Sequence, residues 1–268
     1  MMAAGRSLRA LPLPSGFGAA HLIERNLRHH RRHWIIMLSG FFEPLVYLLG
    51  IGYGVGSLVP GIHLSGGRTV TYAVFVAPAM MASAAMNGAV YETSHNFFYK
   101  LRHQKIYDAA LSTPLGVGDV ALGEIGWALI RGSIYALGFV VIMTVLGLAA
   151  SPWVVLALPA AVLLGFTFAS VGVATTTFVR NWQDFDLVQL FLLPLFLFSA
   201  TFTPLSLYPP ALRVVIELTP LYHGVDLIRG LSTGILGPGL LVDVLYLALL
   251  STIALVIAGA RLRFLLLK

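Results

Sequence analysis

Charge is so scarce in this chain that any ionisable residue inside an apolar run is a candidate for chemistry or for a structural pair. Two stand out: Glu43 within FFEPLVYLLGIG and Arg131 within GWALIRGSIYALG. Glu43 lies about 13 Å into its run at 1.5 Å per residue, and Arg131 reaches a similar depth from the same side. An isolated charge there costs about 2.5–3.5 kcal/mol on insertion, so a partner is expected. The depths predict an intramembrane pair between Glu43 and Arg131, with contact between Glu43 and a polar group of a substrate as the functional alternative. Glu124 is the rival partner for Arg131, but seven residues along a helix is about 10.5 Å, too far for easy contact.

Other constellations with the look of chemistry fail on spacing. His29 and His33 stand four apart and could share a metal on a helix, yet no carboxylate or third ligand is near, so no metal site is expected. Asp108 and Asp119, with Tyr107 before them and the PAL of 210–212 after, follow the order of intramembrane aspartyl proteases. That chemistry needs two carboxylates facing one another from adjacent crossings. Two antiparallel crossings cannot be built in an interval that holds Pro114. HLSGGR at 63–68 contains LSGG, the start of the signature loop of ATP-binding cassettes, but no glycine-rich phosphate loop accompanies it, and it reads as a flexible turn. No Ser/His, HExxH or paired-carboxylate arrangement remains. Neither a catalytic residue nor a bound cofactor or metal is expected, and the absence of cysteine excludes disulfides.

The elements that must position these residues are membrane spans. Of 268 residues 58% are hydrophobic and 10% charged, where a soluble domain carries about 25% charged residues. The expected fold is an all-α integral membrane protein with six transmembrane helices, near 34–57, 70–91, 120–149, 153–178, 187–207 and 237–260. No cleavable signal peptide is expected, because the first apolar run begins at Trp34 and exceeds a signal core. Thirteen Lys and Arg fall on the side of both termini and three on the other, which places both termini in the cytoplasm.

Three further elements complete the plan. Residues 1–33 form a cytoplasmic N-terminus whose GFGAAHLIERNLRHHRRHW sets Leu22, Ile23, Leu27 and Trp34 on one face and arginines on the rest, the pattern of a helix lying in the interface. Residues 208–230 are broken by Pro209, Pro210 and Pro220 into pieces of about ten residues, each about 15 Å long if helical. They suit an external re-entrant hairpin rather than a crossing. There Pro220, His223, Asp226 and Arg229 are the residues of interest, the last three at a spacing that shares a helical face. Residues 261–268 are a cytoplasmic tail, and 34–260 form a single transmembrane domain.

The segment 92–118 is the most polar stretch between spans and holds Lys100, Arg102 and Lys105, two of the three lysines among them. Its run IYDAALSTPLGVGDVALGEIGWALIRG resembles type 2 ABC exporter permeases of the nodulation-factor and drug-export branch. The resemblance rests on Tyr107, Asp108, Ala109, Thr113, Pro114, Gly123, Glu124, Trp127 and Arg131. Two further stretches agree: Glu43 and Pro44 in the first span, and Pro220, His223, Asp226 and Arg229 in the hairpin. It covers nearly the whole chain from about Phe17.

The resemblance implies a non-enzymatic permease that exports an amphipathic or hydrophobic substrate (drug, lipid or lipid-linked saccharide) across the bacterial cytoplasmic membrane. ATP and magnesium would act in a separate ATP-binding subunit, present in two copies. A second permease, identical or paralogous, and membrane lipids would be the other partners; nucleic acid is not. It also implies that a coupling helix touches the ATPase through Glu92, Phe98, Lys100, Arg102, Lys105, Tyr107 and Asp108. The alternative reading is an ion- or proton-coupled secondary transporter, but no clear internal repeat is found and carboxylates are few in the spans, Glu43 and Glu124 among them.

Overall fold

A computed structural model describes residues 17–30, 39–64, 67–104 and 106–266. Helix α1, Phe17–His30, precedes α2, Ser39–Tyr47, which runs on through a π-helical turn, Leu48–Gly54, and a 3-10 turn, Val55–Leu58. A two-residue hairpin, β1 Ile62–His63 and β2 Thr69–Val70, pairs Ile62 with Val70 and joins α2 to α3, Tyr72–Tyr91. The LSGG motif falls in this hairpin, with 65 and 66 outside the described residues.

After a short α4, Ile106–Leu111, come the long α5, Val117–Val145, and α6, Val154–Thr176. Helix α7, Asp184–Leu197, has 14 residues; α8 is Pro210–Glu217, α9 Pro220–Thr233 and α10 Gly239–Leu266. Five helical stretches are long and apolar enough to cross a membrane: Phe41–Leu58, Tyr72–His103, Val117–Val145, Val154–Thr176 and Gly239–Leu266. The protein is thus an all-α multi-pass membrane protein. The stretch expected as a fifth span, 187–207, is a shorter helix ending at Leu197 and followed by a turn in which Ala200 takes a left-handed φ of 54°.

Helix α3 is the hub. Its sequence, YAVFVAPAMMASAAMNGAVY, is rich in small residues, and Ala79, Ala82, Ser83, Ala84 and Ala89 are wholly buried. Small side chains let helix backbones approach where lipid offers no hydrophobic drive for association. The crossing with α5 is close at Gly88, where a Cβ would meet the Tyr135 ring at 2.9 Å and the Gly132 backbone at 3.3 Å. By contrast α10 turns Leu241, Leu245, Leu249 and Val256 outward, as a lipid-facing helix would.

Helix α1 lies on α5. Leu22 fills the notch at Gly123 and Ile23 the one at Gly126, positions where a Cβ would come within 2.8 Å of each side chain. The apolar face expected to lie in acyl chains is therefore partly protein-covered: Leu22 is buried and Leu27 exposed. Trp34 lies outside the described residues. The N-terminus of α5 is closed by Asp119, whose carboxylate accepts the Gly116 N–H at 3.0 Å, as its place after the Pro114 break suggests. At α7, Asp184 accepts the N–H groups of Arg180 (2.8 Å) and Asn181 (3.1 Å), which hold its carboxyl below the usual range.

Candidate functional site

No glycine or proline occurs between Ala89 and Thr113, so nothing in the chain stops α3 at Tyr91. The helix continues to His103 through two π-helical turns, Glu92–Asn96 and Tyr99–His103, with Phe97 and Phe98 between them. Such turns add a residue, displace a carbonyl from the regular ladder and gather at functional sites. The Thr176 hydroxyl on α6 donates to the Thr93 carbonyl at 2.9 Å, and Thr93 itself donates to Ala89 O at 2.8 Å.

This extension carries Glu92, Asn96 and Lys100 toward α5 and α1, where a continuous line of charges forms. Arg25 on α1 lies 3.4 Å from Glu124 on α5; Glu124 is 2.7 Å from Lys100; Lys100 is 3.4 Å from Glu92; and Glu92 is 3.0 Å from Arg131. Arg131 also donates to the Tyr135 hydroxyl at 2.8 Å, and the amides of Asn96 and Asn26 donate to Glu92 and Glu124. Glu92 and Glu124 are each about 1% exposed and Arg131 3%, whereas the Arg25 side chain is 38% exposed. Buried charges survive only when paired and hydrogen-bonded. Here each carboxylate meets two cations, so the line runs unbroken from the protein surface to the interior. Tyr107 on α4 packs beside it; burial, and then the Glu124 carboxylate, push its hydroxyl well above the ordinary range.

Arg131 therefore finds Glu92, not Glu43. The expected pairing placed Glu92 beyond the span because the span was ended at Tyr91, whereas the uninterrupted helix carries it inward to face α5. Depth alone did not decide the partner, because two helices must also turn the charges toward each other. Glu43 is exposed and makes no ion pair among the described residues. It does share a cavity with Arg131. This space, about 220 Å³, lies between α2, α3, α5 and α7, and its polar lining includes Asn87, His95 and Gln189. A larger apolar space of about 580 Å³ lies on the α6 side of α7, lined by Phe168, Val171, Phe178 and Phe191. Val90 and Leu192 line both.

The residues expected to touch an ATPase separate into two groups. Glu92, Phe98 and Tyr107 are buried, and Lys100 is half-buried in the ion line. They hold the segment to the body of the protein. Arg102 is exposed, as are His103, Gln104 and Ser112–Pro114, so these form the free tip. Lys105 lies outside the described residues, as does the side chain of Asp108. Phe98 also packs edge-on against Phe185 of α7 (5.2 Å), and His95 stacks on the same ring (4.6 Å), tying the α3 extension to the start of α7.

In the hairpin region Pro220 opens α9, and Thr219 caps it. His223, Asp226 and Arg229 share a helix but not a partner. His223 Nδ1 is 2.7 Å from Asp243 of α10, with its ring stacked on Tyr246 at 3.9 Å. Arg229 is buried, donates to the carbonyls of Phe75 (3.1 Å) and Ala200 (2.8 Å), and lies 3.9 Å over the Phe75 ring. It thereby secures the strained turn after α7, since a left-handed non-glycine residue costs about 1–2 kcal/mol. Asp226 is half-buried beside them. Sequence reasoning missed Glu92 as an interior charge and Asp243 as the partner of His223. The unbroken helix signal between Ala89 and Thr113 could have revealed the first; nothing local marks the second, twenty residues away.

Comparison with known proteins gives the family. The family described as ABC-2 type transporter matches residues 19–232. Nodulation protein J of Sinorhizobium fredii is 32% identical over 194 residues, 72% of each chain, and that of Rhizobium meliloti is 32% identical over 201 residues, 74% of each. Nodulation protein J of Azorhizobium caulinodans is 26% identical over 250 residues, 91% of this chain and 96% of that one. The chain belongs to the ABC-2 type transporter family, as a permease of the branch that contains nodulation protein J.

Proposed function

We propose that this chain is the permease subunit of an ATP-driven exporter of amphipathic molecules in a bacterial cytoplasmic membrane. It crosses six times, with both termini cytoplasmic, and works beside a second permease and two copies of a separate ATP-binding subunit. The observation that carries this reading is the continuity from the exposed tip at Arg102–Gln104, through the unbroken helix 72–103 and its buried ions, to α5, α1 and α7. A push on the tip passes to the body of the protein, because each carboxylate holds two cations and the aromatic contacts are close. Rigid, packed elements transmit displacement in this way.

The test is reconstitution with a candidate ATPase, measuring ATP hydrolysis with and without an amphiphile. We expect the permease to stimulate hydrolysis. Arg102→Ala with His103→Ala should lower stimulation at least about fivefold, the low end of coupling between distant sites, while leaving unfolding unchanged. The reading fails if the permease does not affect the ATPase, or if transport runs without the ATPase on a proton gradient.

The orientation has its own check, aided by the absence of native cysteine. A thiol introduced as Gly66→Cys should react with an impermeant maleimide on intact cells, and one introduced as His103→Cys only after permeabilisation. The opposite pattern would invert the topology.

A further inference from the structure

The ion line is one charge out of balance. From the surface inward it reads Arg25, Glu124, Lys100, Glu92, Arg131, three cations to two carboxylates, with successive contacts of 3.4, 2.7, 3.4 and 3.0 Å. Both ends are therefore positive, and they differ. At the inner end Arg131 is buried, donates to the Tyr135 hydroxyl and has the Tyr91 and Tyr135 rings at 5.1 and 5.7 Å. At the outer end Arg25 makes both of its contacts through one nitrogen, Nη2, to Glu124 Oε1 at 3.4 Å and Asn26 Oδ1 at 3.3 Å. Its Nη1 and Nε donors make no hydrogen bond among the described residues.

Neighbouring acids do not make up the difference. Glu24 is exposed on α1 and pairs with Arg28 of the same helix, and Glu124 lies nearer to Lys100 than to Arg25. Asp119 is engaged at the N-terminus of α5 and stands beside Gly18, seven residues or about 10.5 Å of helix away from Arg25. The surplus charge thus sits at the open end of the line, on a basic helix laid against a membrane span. A guanidinium fork matches the oxygens of a phosphate, and a charged hydrogen bond to phosphate is stronger than one between neutral groups. The surface of a bilayer that contains anionic lipid supplies such a group with a net negative charge.

We infer that the phosphate of an anionic lipid sits against Arg25 and completes the line, so that α1 holds a headgroup site as well as bracing α5. A zwitterionic lipid brings an ammonium with its phosphate and leaves the surplus in place. Phosphatidylglycerol brings one net negative charge and removes it. The site needs neither an ATPase nor a cargo, so it stands apart from the exporter reading.

Native mass spectrometry of the purified full chain tests this, with phosphatidylglycerol and phosphatidylcholine of the same acyl chains competing at equal concentration. We expect phosphatidylglycerol to be retained about fivefold over phosphatidylcholine, the worth of one basic residue at an anionic surface. Arg25→Gln brings the line to two cations and two carboxylates and should remove the preference, whereas Arg25→Lys should keep part of it. Changing Glu24→Gln and Arg28→Gln together, which deletes a neutral pair from the same helix, should leave it intact. Thermal unfolding separates the site from the fold. In phosphatidylcholine Arg25→Gln should barely move the midpoint, because the contacts it loses are long; the rise that phosphatidylglycerol gives the unaltered chain should be absent from the variant.

Equal retention of the two lipids, or a preference that survives Arg25→Gln, would overturn the assignment. A preference lost equally on the paired Glu24 and Arg28 change would do so too, since the attraction would then belong to the helix as a whole. A midpoint raised as much by inorganic phosphate as by phosphatidylglycerol would give the site to a free anion instead of a lipid. If Arg25→Gln leaves lipid retention unchanged but blocks stimulation of the ATPase, the surplus charge meets the partner subunit: the lipid assignment falls and the exporter reading stands.

Discussion

Replacing Glu92 with alanine should cost about 3–5 kcal/mol of unfolding free energy, the range for stranding a buried charge. Glu92 is the only carboxylate within ion-pair distance of Arg131 among the described residues. Its loss leaves a guanidinium that is 3% exposed with a phenol and aromatic faces for company. The reverse change, Arg131→Ala, should be milder, because Glu92 keeps Lys100 at 3.4 Å and the Asn96 amide at 2.8 Å. Titration of the purified chain from mild micelles into dodecyl sulfate gives the comparison. The double variant should be less damaging than the sum of the singles by at least about 1 kcal/mol, as expected for residues in direct contact. A Glu92→Ala effect under about 1 kcal/mol would show that the ion line adds little to the fold, and single variants of equal cost would show that Lys100 and Asn96 do not sustain Glu92.

The second large effect is expected at Gly172. In an exposed helix a change of glycine to alanine gains about 1 kcal/mol of propensity. Here the sign should reverse. A Cβ at Gly172 would overlap the Thr93 hydroxyl and come within 3.1 Å of the Thr93 Cβ. Thr93 cannot step aside: it is β-branched, sits inside the π-helical turn and is bonded to Ala89, while its carbonyl is held by Thr176. Overpacking of this kind costs about 1–3 kcal/mol, and we expect the upper part of that range for Gly172→Ala. Thr93→Ala in the same chain should recover more than half of the loss, since it removes the overlapping oxygen. Failure of that rescue would mean that the helices part for a different reason.

The two expectations concern one joint, and it is the part of the molecule that sequence reading resolved least well. Apolar runs located α3, α5, α6 and α10 closely, because lipid imposes a length and a composition that any such helix must meet. The pattern also marked α1 and the break at Pro114. A span bounded at 91 leaves Glu92 in the coupling segment 92–118. A charge ends a span only when it must reach water, and Glu92 instead reaches Arg131. Depth counting brought Glu43 and Arg131 to the same level and into one cavity, but gave no information about which face of each helix they occupy. Lys100, expected to touch an ATPase, instead joins Glu92 and Glu124 for the same reason. Neither the π-helical turns nor the union of His223 with Asp243 has a local signature, since both arise from packing between distant segments.

The brevity of α7 has a consequence for the surrounding membrane. Fourteen residues rise about 21 Å, against roughly 30 Å of hydrocarbon in an ordinary bilayer. In the six-crossing arrangement, lipid beside Leu190, Phe191 and Leu197 must shorten its acyl chains or let head groups dip to meet the helix. In that arrangement the protein would carry its own dimple, and under the export proposed above an amphiphile leaving the inner leaflet there would have less oil to traverse.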